Sequence, residues 1–357
     1  MQESFGSLEL SHRVRKDNPL KKLSVLIDWE LLRPHLQKLY KRDETRGGGQ
    51  KPFDELMMFK AILLGQWHSL SDAKLEEALA VRLDFMDFCG LGLSDAVPDE
   101  STLCRFRLRL IKHKRLELLL KQVNDQLQSL GLMVQKAQGA VLDATLIESL
   151  ARPRRTIEMA VDEDGEEIIH EDGTQPGVVR QVQESADSDA SWVKKGKRSY
   201  FGYRAYVVVD SEGGYVRGVH AAPANQSETK HLGRALEAAQ MDVRRLYADK
   251  GYSSAENRAY LKEKKIKVGI MHRATKHKSL AARQKRANKL IGKVRYFVEQ
   301  CFGTLKRIFG MRRASYFGLE KVKAQLVLKC MGLNLLKAAN KIHLEYSVTG
   351  KMRLMTG

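Results

Sequence analysis

The first residue that could do chemistry is a carboxylate standing alone in a basic stretch. Glu299 is the only acidic residue between Lys264 and Gly318, and a positive field strongly favours its ionised form. One interpretation is a surface residue that pairs with Arg295 one helical turn earlier. The other is a metal ligand at the floor of a groove that holds phosphate groups, which requires partner carboxylates. The surrounding basic residues are Lys285, Arg286, Lys289, Lys293, Arg295, Lys306, Arg307, Arg312 and Arg313.

Two further acids stand where a cation could bind. Asp143 lies within a short apolar run, residues 139–149, that predicts a buried strand. A buried acid is costly unless it is paired or binds a cation; a hydrogen bond to neighbouring backbone is the alternative. Asp249 follows the segment "RLYA" at the carboxyl end of a predicted strand, where open α/β sheets place ligands. Its alternative is a turn-forming Asp.

These three acids could form one metal centre. If the strand that holds Asp143 neighbours the strand that ends at Asp249, and a late helix crosses both, Glu299 joins them. Three carboxylates suit a pair of Mg²⁺ ions, with Mn²⁺ as an alternative, because Mg²⁺ prefers oxygen ligands. Two metals roughly 3.5–4 Å apart support in-line displacement at phosphorus.

Basic residues are expected beside Glu299 on the same helix. At 100° per residue, Arg295 and Lys306 lie within about 40° of Glu299, where they could grip phosphates. A solvated basic face would show the same pattern. The other side of the helix is predicted to be a core stripe of Val294, Phe297, Val298, Cys301, Leu305 and Ile308.

The elements that must position these residues fall into two parts. Residues 1–135 predict an all-α domain, with helices over 54–67, from Ser69 and Asp72 to residue 79, over 97–115 and over 116–130. Arg105 and Arg109 share one face of the third helix. This pattern fits a helix-turn-helix-like DNA reader and equally an ordinary bundle with a solvated basic face.

Residues 136–357 predict an α/β catalytic domain. The order of elements is β-β-β-α-β-α-β-α, that of a ribonuclease-H-like fold with a mixed sheet and flanking helices. An acidic insert over about residues 155–190 and a C-terminal helix over 319–342 complete it.

Composition limits the partners. The formal charge of +19 indicates a polyanion, with nucleic acid the first candidate and a membrane surface the second. No apolar run reaches the length of a spanning helix, and no secretory signal is evident. The four cysteines are far apart in sequence and form no Cys-x-x-Cys pair, which disfavours zinc ribbons and disulfides and fits a reducing cytoplasm.

The chain resembles a known family at several motifs. "VLDATLIES" (141–149), "SWVKKGKRSYFGYRAYVVVD" (191–210), "YADKGYSS" (247–254) and "VRYFVEQCFGTLKRIFG" (294–310) are similar to those of the DDE transposases of the insertion-sequence-5 family. The stretches 51–79 and 97–107 match its N-terminal region. The resemblance implies an enzyme that cuts at the terminal inverted repeats of a mobile element and joins its 3′-OH ends to target DNA.

The resemblance also implies residue roles and partners. Asp143, Asp249 and Glu299 match the three catalytic, metal-binding acids, and Arg295 and Lys306 match the basic positions around the Glu. The family's Tyr three residues before the Arg is replaced here by Gly292, so its role is not carried over. The expected partner is double-stranded DNA, bound by a homodimer or higher oligomer associated with the nucleoid. A non-transposing nuclease of the same fold and a domesticated DNA-binding protein are the alternatives.

The acidic insert and the bases after it form a last expectation. The cluster Lys194, Lys195, Lys197 and Arg198 suits phosphate contacts. The insert, 158–189, carries acids that could cover the basic groove and be displaced by DNA, or it is a solvated loop. The acids are Glu158, Asp162, Glu163, Asp164, Glu166, Glu167, Glu171, Asp172, Glu184, Asp187 and Asp189.

Overall fold

The structure, a computed structural model, describes most of the 357-residue chain. The described residues are 12–39, 52–134, 137–151, 153, 155–161, 177–274, 279–346 and 352–356. The helices are α1 Pro19–Leu26, α2 Arg33–Leu36, α3 Glu55–Trp67, α4 Asp72–Val81, α5 Leu83–Cys89, α6 Glu100–Lys112, α7 Leu116–Ser129, α8 Leu232–Ala239, α9 Ala255–Glu263, α10 Ala282–Arg307 and α11 Leu319–Ala339. Short 3₁₀ turns span Trp29–Leu32, Gln37–Leu39, Glu228–His231 and Lys250–Tyr252. The strands are β1 Ala140–Glu148, β2 Arg155–Val161, β3 Gly177–Gln183, β4 Ser191–Lys195, β5 Arg198–Asp210, β6 Val216–Pro223, β7 Arg245–Ala248, β8 Lys267–Ile270, β9 Ile342–Tyr346 and β10 Met352–Thr356.

A mixed six-stranded sheet forms the centre of the fold. Its order is β4-β5-β1-β7-β8, with β6 also paired to β5. β5 runs antiparallel to β1, whereas β7 runs parallel to both β1 and β8. This confirms the ribonuclease-H-like class with a helical N-terminal region. The pairs β2–β3 and β9–β10 are separate two-stranded sheets.

The register of β1 against β7 sets the place of two acids. Leu142 pairs with Ala248, so the next residues, Asp143 and Asp249, lie beside each other where β7 ends. The flanking residues Val141 and Leu142 are fully buried. Because side chains alternate along a strand, a one-residue slip of this register would turn Asp143 to the opposite face of the sheet.

Local signals at the N-terminal helices explain where they begin. The side chains of Asp54 and Asp99 accept hydrogen bonds from the backbone N–H groups of Met57 and Thr102 at 2.9 and 2.6 Å, the usual role of an N-cap. The cap of α4 is Ser71, so the predicted start at Ser69 was two residues early.

Helix α11 joins the helical region to the sheet. It packs against α1, α3 and α7 on one side and against β6 and α10 on another. A single cluster of buried apolar side chains runs from α1 through α11 to the inner face of β5. The division of the chain into domains at residue 135 stays a prediction, because this cluster spans both parts.

A buried lysine fixes α11 to the end of α3 and to two loops. Lys329 is 1% exposed, and its ammonium group donates to the carbonyl oxygens of Gln66 and Phe309 at 3.1 and 2.6 Å and to Ser69 Oγ at 3.1 Å. Burial lowers its pKa to about 8. Ser69, predicted to begin a helix, instead serves this junction.

The shifted pKa of Lys329 makes stability depend on pH. Between about pH 8 and the ordinary lysine value near 10.4, the unfolded chain holds a proton that the folded chain has lost, so stability rises with pH. Lys329→Met should therefore destabilise the protein more at pH 9.5 than at pH 7, as measured by urea unfolding of both proteins. An equal difference at the two pH values would show that Lys329 keeps its ordinary pKa.

Candidate active site

The three predicted acids converge on one guanidinium group. Arg295 Nη2 lies 2.6 Å from Asp143 Oδ2 and 3.8 Å from Glu299 Oε1, and its Nη1 lies 3.7 Å from Asp249 Oδ1. The acids come from β1, from the residue after β7, and from α10. Elements far apart in sequence therefore place three carboxylates around a single positive charge.

The acids differ in how much of each side chain meets solvent. Asp143 and Arg295 are recessed, with 15% and 14% of their side chains exposed, whereas Glu299 is 58% exposed. Burial by itself lowers the pKa of Arg295, but the charges of Asp143, Asp249 and Glu299 outweigh it, and the pKa is raised. The guanidinium therefore stays charged at every pH at which the protein is folded.

The fit of this site to a metal can be judged from its donors. Within the described residues, no three His, Cys, Asp or Glu side chains stand at metal-ligand spacing, because the acids surround Arg295. Nevertheless, oxygen donors gathered around a cation are the set that hard divalent ions prefer. The three acids thus fit a divalent cation if the guanidinium moves away, and their metal-binding role stays a prediction.

The helix that carries Arg295 and Glu299 is held by its apolar face. Val298, Cys301 and Leu305 are buried, and Val294 and Phe297 pack against the core from its edge. The predicted stripe was wrong at Ile308, which is 57% exposed. Because α10 ends at Arg307, the helical spacing that placed Ile308 in the stripe no longer applies there.

The predicted phosphate-binding residues lie near this helix. Lys306 is half-buried, and this burial is the largest cause of its lowered pKa. The positive charges of Lys195 and Arg312 lower the pKa further. Lys195 belongs to an exposed basic cluster at the β4–β5 turn, and the four predicted residues of that cluster are all exposed. They are Lys194, Lys195, Lys197 and Arg198. The influence of Lys195 on Lys306 shows that the β4–β5 turn lies near the end of α10.

The arginines of α6 divide into different roles. Arg105 is exposed and donates to the hydroxyls of Ser101 and Thr102 on its own helix, and Arg109 is half-buried. Arg107, which the sequence did not single out, is 5% exposed and makes a bidentate contact with Asp72 at 2.5 and 2.7 Å. Thus α6 is anchored through Arg107 and leaves Arg105 accessible.

The acidic insert is described only in part. Residues 162–176 lie outside the described residues, so the hypothesis that the insert covers the groove stays a prediction. Two of its acids are structural. Asp187 is 1% exposed and accepts from Ser149 Oγ, Tyr203 Oη and the N–H of Gly318, while Asp189 accepts from the N–H of Leu319. Asp187 is therefore held within the fold, whereas Asp189 is exposed and accepts a hydrogen bond from the backbone at the start of α11.

A second ion pair that the sequence did not predict borders the acids. Arg204 of β5 contacts Glu228, the first residue of the turn Glu228–His231. In the sequence, Glu228 follows Ser227, a residue type that commonly caps helices, and acids are common in the first turn of a helix. Nothing in its sequence context marked it as a neighbour of the site.

Comparisons with known proteins show what the chain is similar to. Residues 8–109 match a family described as "Transposase domain (DUF772)", and residues 135–335, more than half of the chain, match "Transposase DDE domain". The transposase for insertion sequence element IS1106 from Neisseria meningitidis serogroup B is 44% identical over 239 residues, which cover 67% of this chain and 78% of that protein. Among solved structures, a piggyBac transposase synaptic complex with hairpin DNA matches with a TM-score of 0.40 and 10% identity, over 95% of this chain and 76% of that one.

Removing the shared guanidinium tests what holds the acids together. Without divalent cations, Arg295→Gln should lower the free energy of unfolding by about 1–3 kcal/mol, because three carboxylates lose their common counter-charge. Mn²⁺ should then raise the melting temperature of this variant more than that of the parent chain, because the cation replaces the missing charge.

Arg307→Gln is the matched control, since it removes the same charge from an exposed position at the end of the same helix. If the two variants melt alike at every Mn²⁺ concentration, Arg295 does not hold the acids together.

Proposed function

The chain belongs to the family of transposases with a DDE domain, and from this premise we propose that Asp143, Asp249 and Glu299 are its catalytic acids. They would hold two Mg²⁺ ions, with Mn²⁺ as an alternative. The enzyme cleaves at the terminal inverted repeats of an insertion sequence and joins the 3′-OH ends to target DNA. The observation that carries this proposal is the convergence of the three carboxylates on Arg295.

The charges of the site support a cation in place of the guanidinium. Three carboxylates share a single arginine here, so a divalent cation could replace the guanidinium as their counter-charge. When bound, the divalent ions activate the attacking oxygen and neutralise the leaving one. Asp143 is the most recessed of the three acids, and exposure increases from Asp249 (32%) to Glu299 (58%).

Arg295 takes a second role once the acids have another partner. The guanidinium, released from Asp143, lies on the same helix face as Lys306, and both can contact the phosphates on either side of the scissile bond. In this scheme Arg295 holds the acids in the free protein and DNA in the complex. The sequence-based assignment of Arg295 and Lys306 to DNA is thereby retained.

The wider surface supports a long DNA contact. Lys194, Lys195, Lys197 and Arg198 extend the basic surface from α10 along the β4–β5 turn. In the helical region, α6 would bind the terminal repeats through the face that carries the exposed Arg105 and the neighbouring Arg109. The enzyme acts as a homodimer or higher oligomer on DNA in the nucleoid, since two ends must be joined together. In the described part of the chain, no helix is long and apolar enough to cross a membrane.

Neutral, isosteric replacements test the three acids. We expect Asp143→Asn, Asp249→Asn and Glu299→Gln each to reduce cleavage of terminal-repeat DNA about 100-fold or more, because each removes one ligand charge worth several kcal/mol. Duplex binding in the absence of metal should be unchanged or slightly tighter. Cleavage and strand transfer of labelled terminal-repeat duplexes with Mg²⁺ are the measurements.

Glu256→Gln, an exposed acid in the first turn of α9, is the control and should cleave normally. Cleavage at the parental rate by any one of the three variants would remove that residue from the site. Cleavage by the parent protein without strand transfer would instead indicate the non-transposing nuclease.

A further inference from the structure

A fourth carboxylate lies against the turn that carries Asp249. Arg204 of β5 holds one oxygen of Glu228, and the side chains are 15% and 26% exposed. The other oxygen, Glu228 Oε2, faces Gly251, where an added Cβ would approach it to 2.5 Å. Glu228 therefore packs on the backbone two residues beyond Asp249.

A side chain at Gly251 would meet the end of the Glu228 side chain. The φ angle of Gly251 lies outside the left-handed range that disfavours other residues, so its backbone would accept a side chain. Among the described residues beyond its chain neighbours, only the carboxylate of Glu228 lies within 4 Å of the position that a Cβ would take. The turn itself is closed by the N–H of Tyr252, which donates to the carbonyl oxygen of Asp249 at 3.1 Å.

The charges of the site acids also act on the carboxyl group of Glu228. Burial raises its pKa, the charge of Arg204 lowers it, and the charges of Asp143 and Asp249 raise it further, so that the pKa is raised overall. The influence of both acids shows that Glu228 shares their surroundings. Arg204 compensates its charge without using the guanidinium of Arg295.

We propose that Glu228, held by Arg204, is a positioning residue that fixes the Asp249 turn and adds negative charge behind the cation site. This inference rests on the proposed function and deepens it by assigning support to one metal ligand. Groups behind a ligating carboxylate commonly change metal affinity about 10–100-fold when they are removed. Glu228 acts through Asp249 and does not need to touch the cation or the DNA.

Glu228→Gln is the central variant, because it keeps the shape of the side chain and an oxygen that accepts from Arg204. In the full chain without DNA, its affinity for Mn²⁺ should fall about 10-fold, measured by isothermal titration calorimetry at a temperature where circular dichroism shows both proteins fully folded. Its melting temperature without metal reports separately the loss of the ion pair with Arg204. A loss of Mn²⁺ affinity in fully folded protein separates positioning from a purely structural role. Glu228→Asp, which restores the charge, should recover part of the loss, and Glu256→Gln should bind as the parent does.

Asp249→Asn provides the reference that separates the two proposals. If it weakens Mn²⁺ binding and Glu228→Gln does not, the role of Glu228 is overturned and the proposed function stands. If Asp249→Asn also binds Mn²⁺ as the parent does, the metal site itself is overturned, and the role of Glu228 with it.

A variant of the turn tests the same contact from the other side. Gly251→Ala should push the carboxylate of Glu228 aside and weaken Mn²⁺ binding to a similar extent. In a Glu228→Ala background the clash is absent, so Gly251→Ala should cause no further loss. Additive losses in the double variant would show that the two residues act independently and would overturn the proposal.

Discussion

The ion cluster in which one arginine is shared by three carboxylates is the interaction on which the site depends. Arg295 lies between Asp143, Asp249 and Glu299 and contacts them at 2.6 to 3.8 Å, so it supplies the positive charge that these three carboxylates share. A metal ion that bound the same carboxylates would have to compete with this residue of the chain.

The rest of the fold holds this cluster in register. The pairing of β1 with β7 places Asp143 beside Asp249, and the buried face of α10 fixes the angle from which Arg295 and Glu299 approach. Helix α11 packs against α10, and its buried Lys329 donates to the carbonyl oxygen of Phe309 just after α10 ends. A chain of charge +19 thus surrounds a small negative site with basic surface, so that DNA and divalent cations are attracted to adjacent places.

The sequence predicted the scaffold, and it marked the three acids as candidates, because both inferences rest on local patterns. An acid inside an apolar strand, an acid at a strand end and a lone acid in a basic helix could each be recognised without a partner. The order of strands and helices was sufficient for the fold. The same patterns could not show which side chains would contact one another.

The contacts that the sequence missed depend on packing between elements that are distant in sequence. Arg295 shares a helix face with Glu299, but its contacts with Asp143 and Asp249 arise only when α10 crosses the sheet. Arg107 is buried through Asp72 on another helix, although its sequence context matches that of Arg105. In the sequence Glu228 resembles an ordinary acid in the first turn of a helix. Its contacts with Arg204 of β5 and with the turn after Asp249 appear only in the folded protein.

The most direct measurement is a crystal structure of the protein soaked with Mn²⁺ and collected at a wavelength that gives anomalous signal from manganese. We expect an anomalous peak among the carboxylate oxygens of Asp143, Asp249 and Glu299, with the guanidinium of Arg295 displaced from Asp143. Manganese bound elsewhere, with the Arg295–Asp143 contact intact at saturating Mn²⁺, would contradict the assignment of these acids to a metal site.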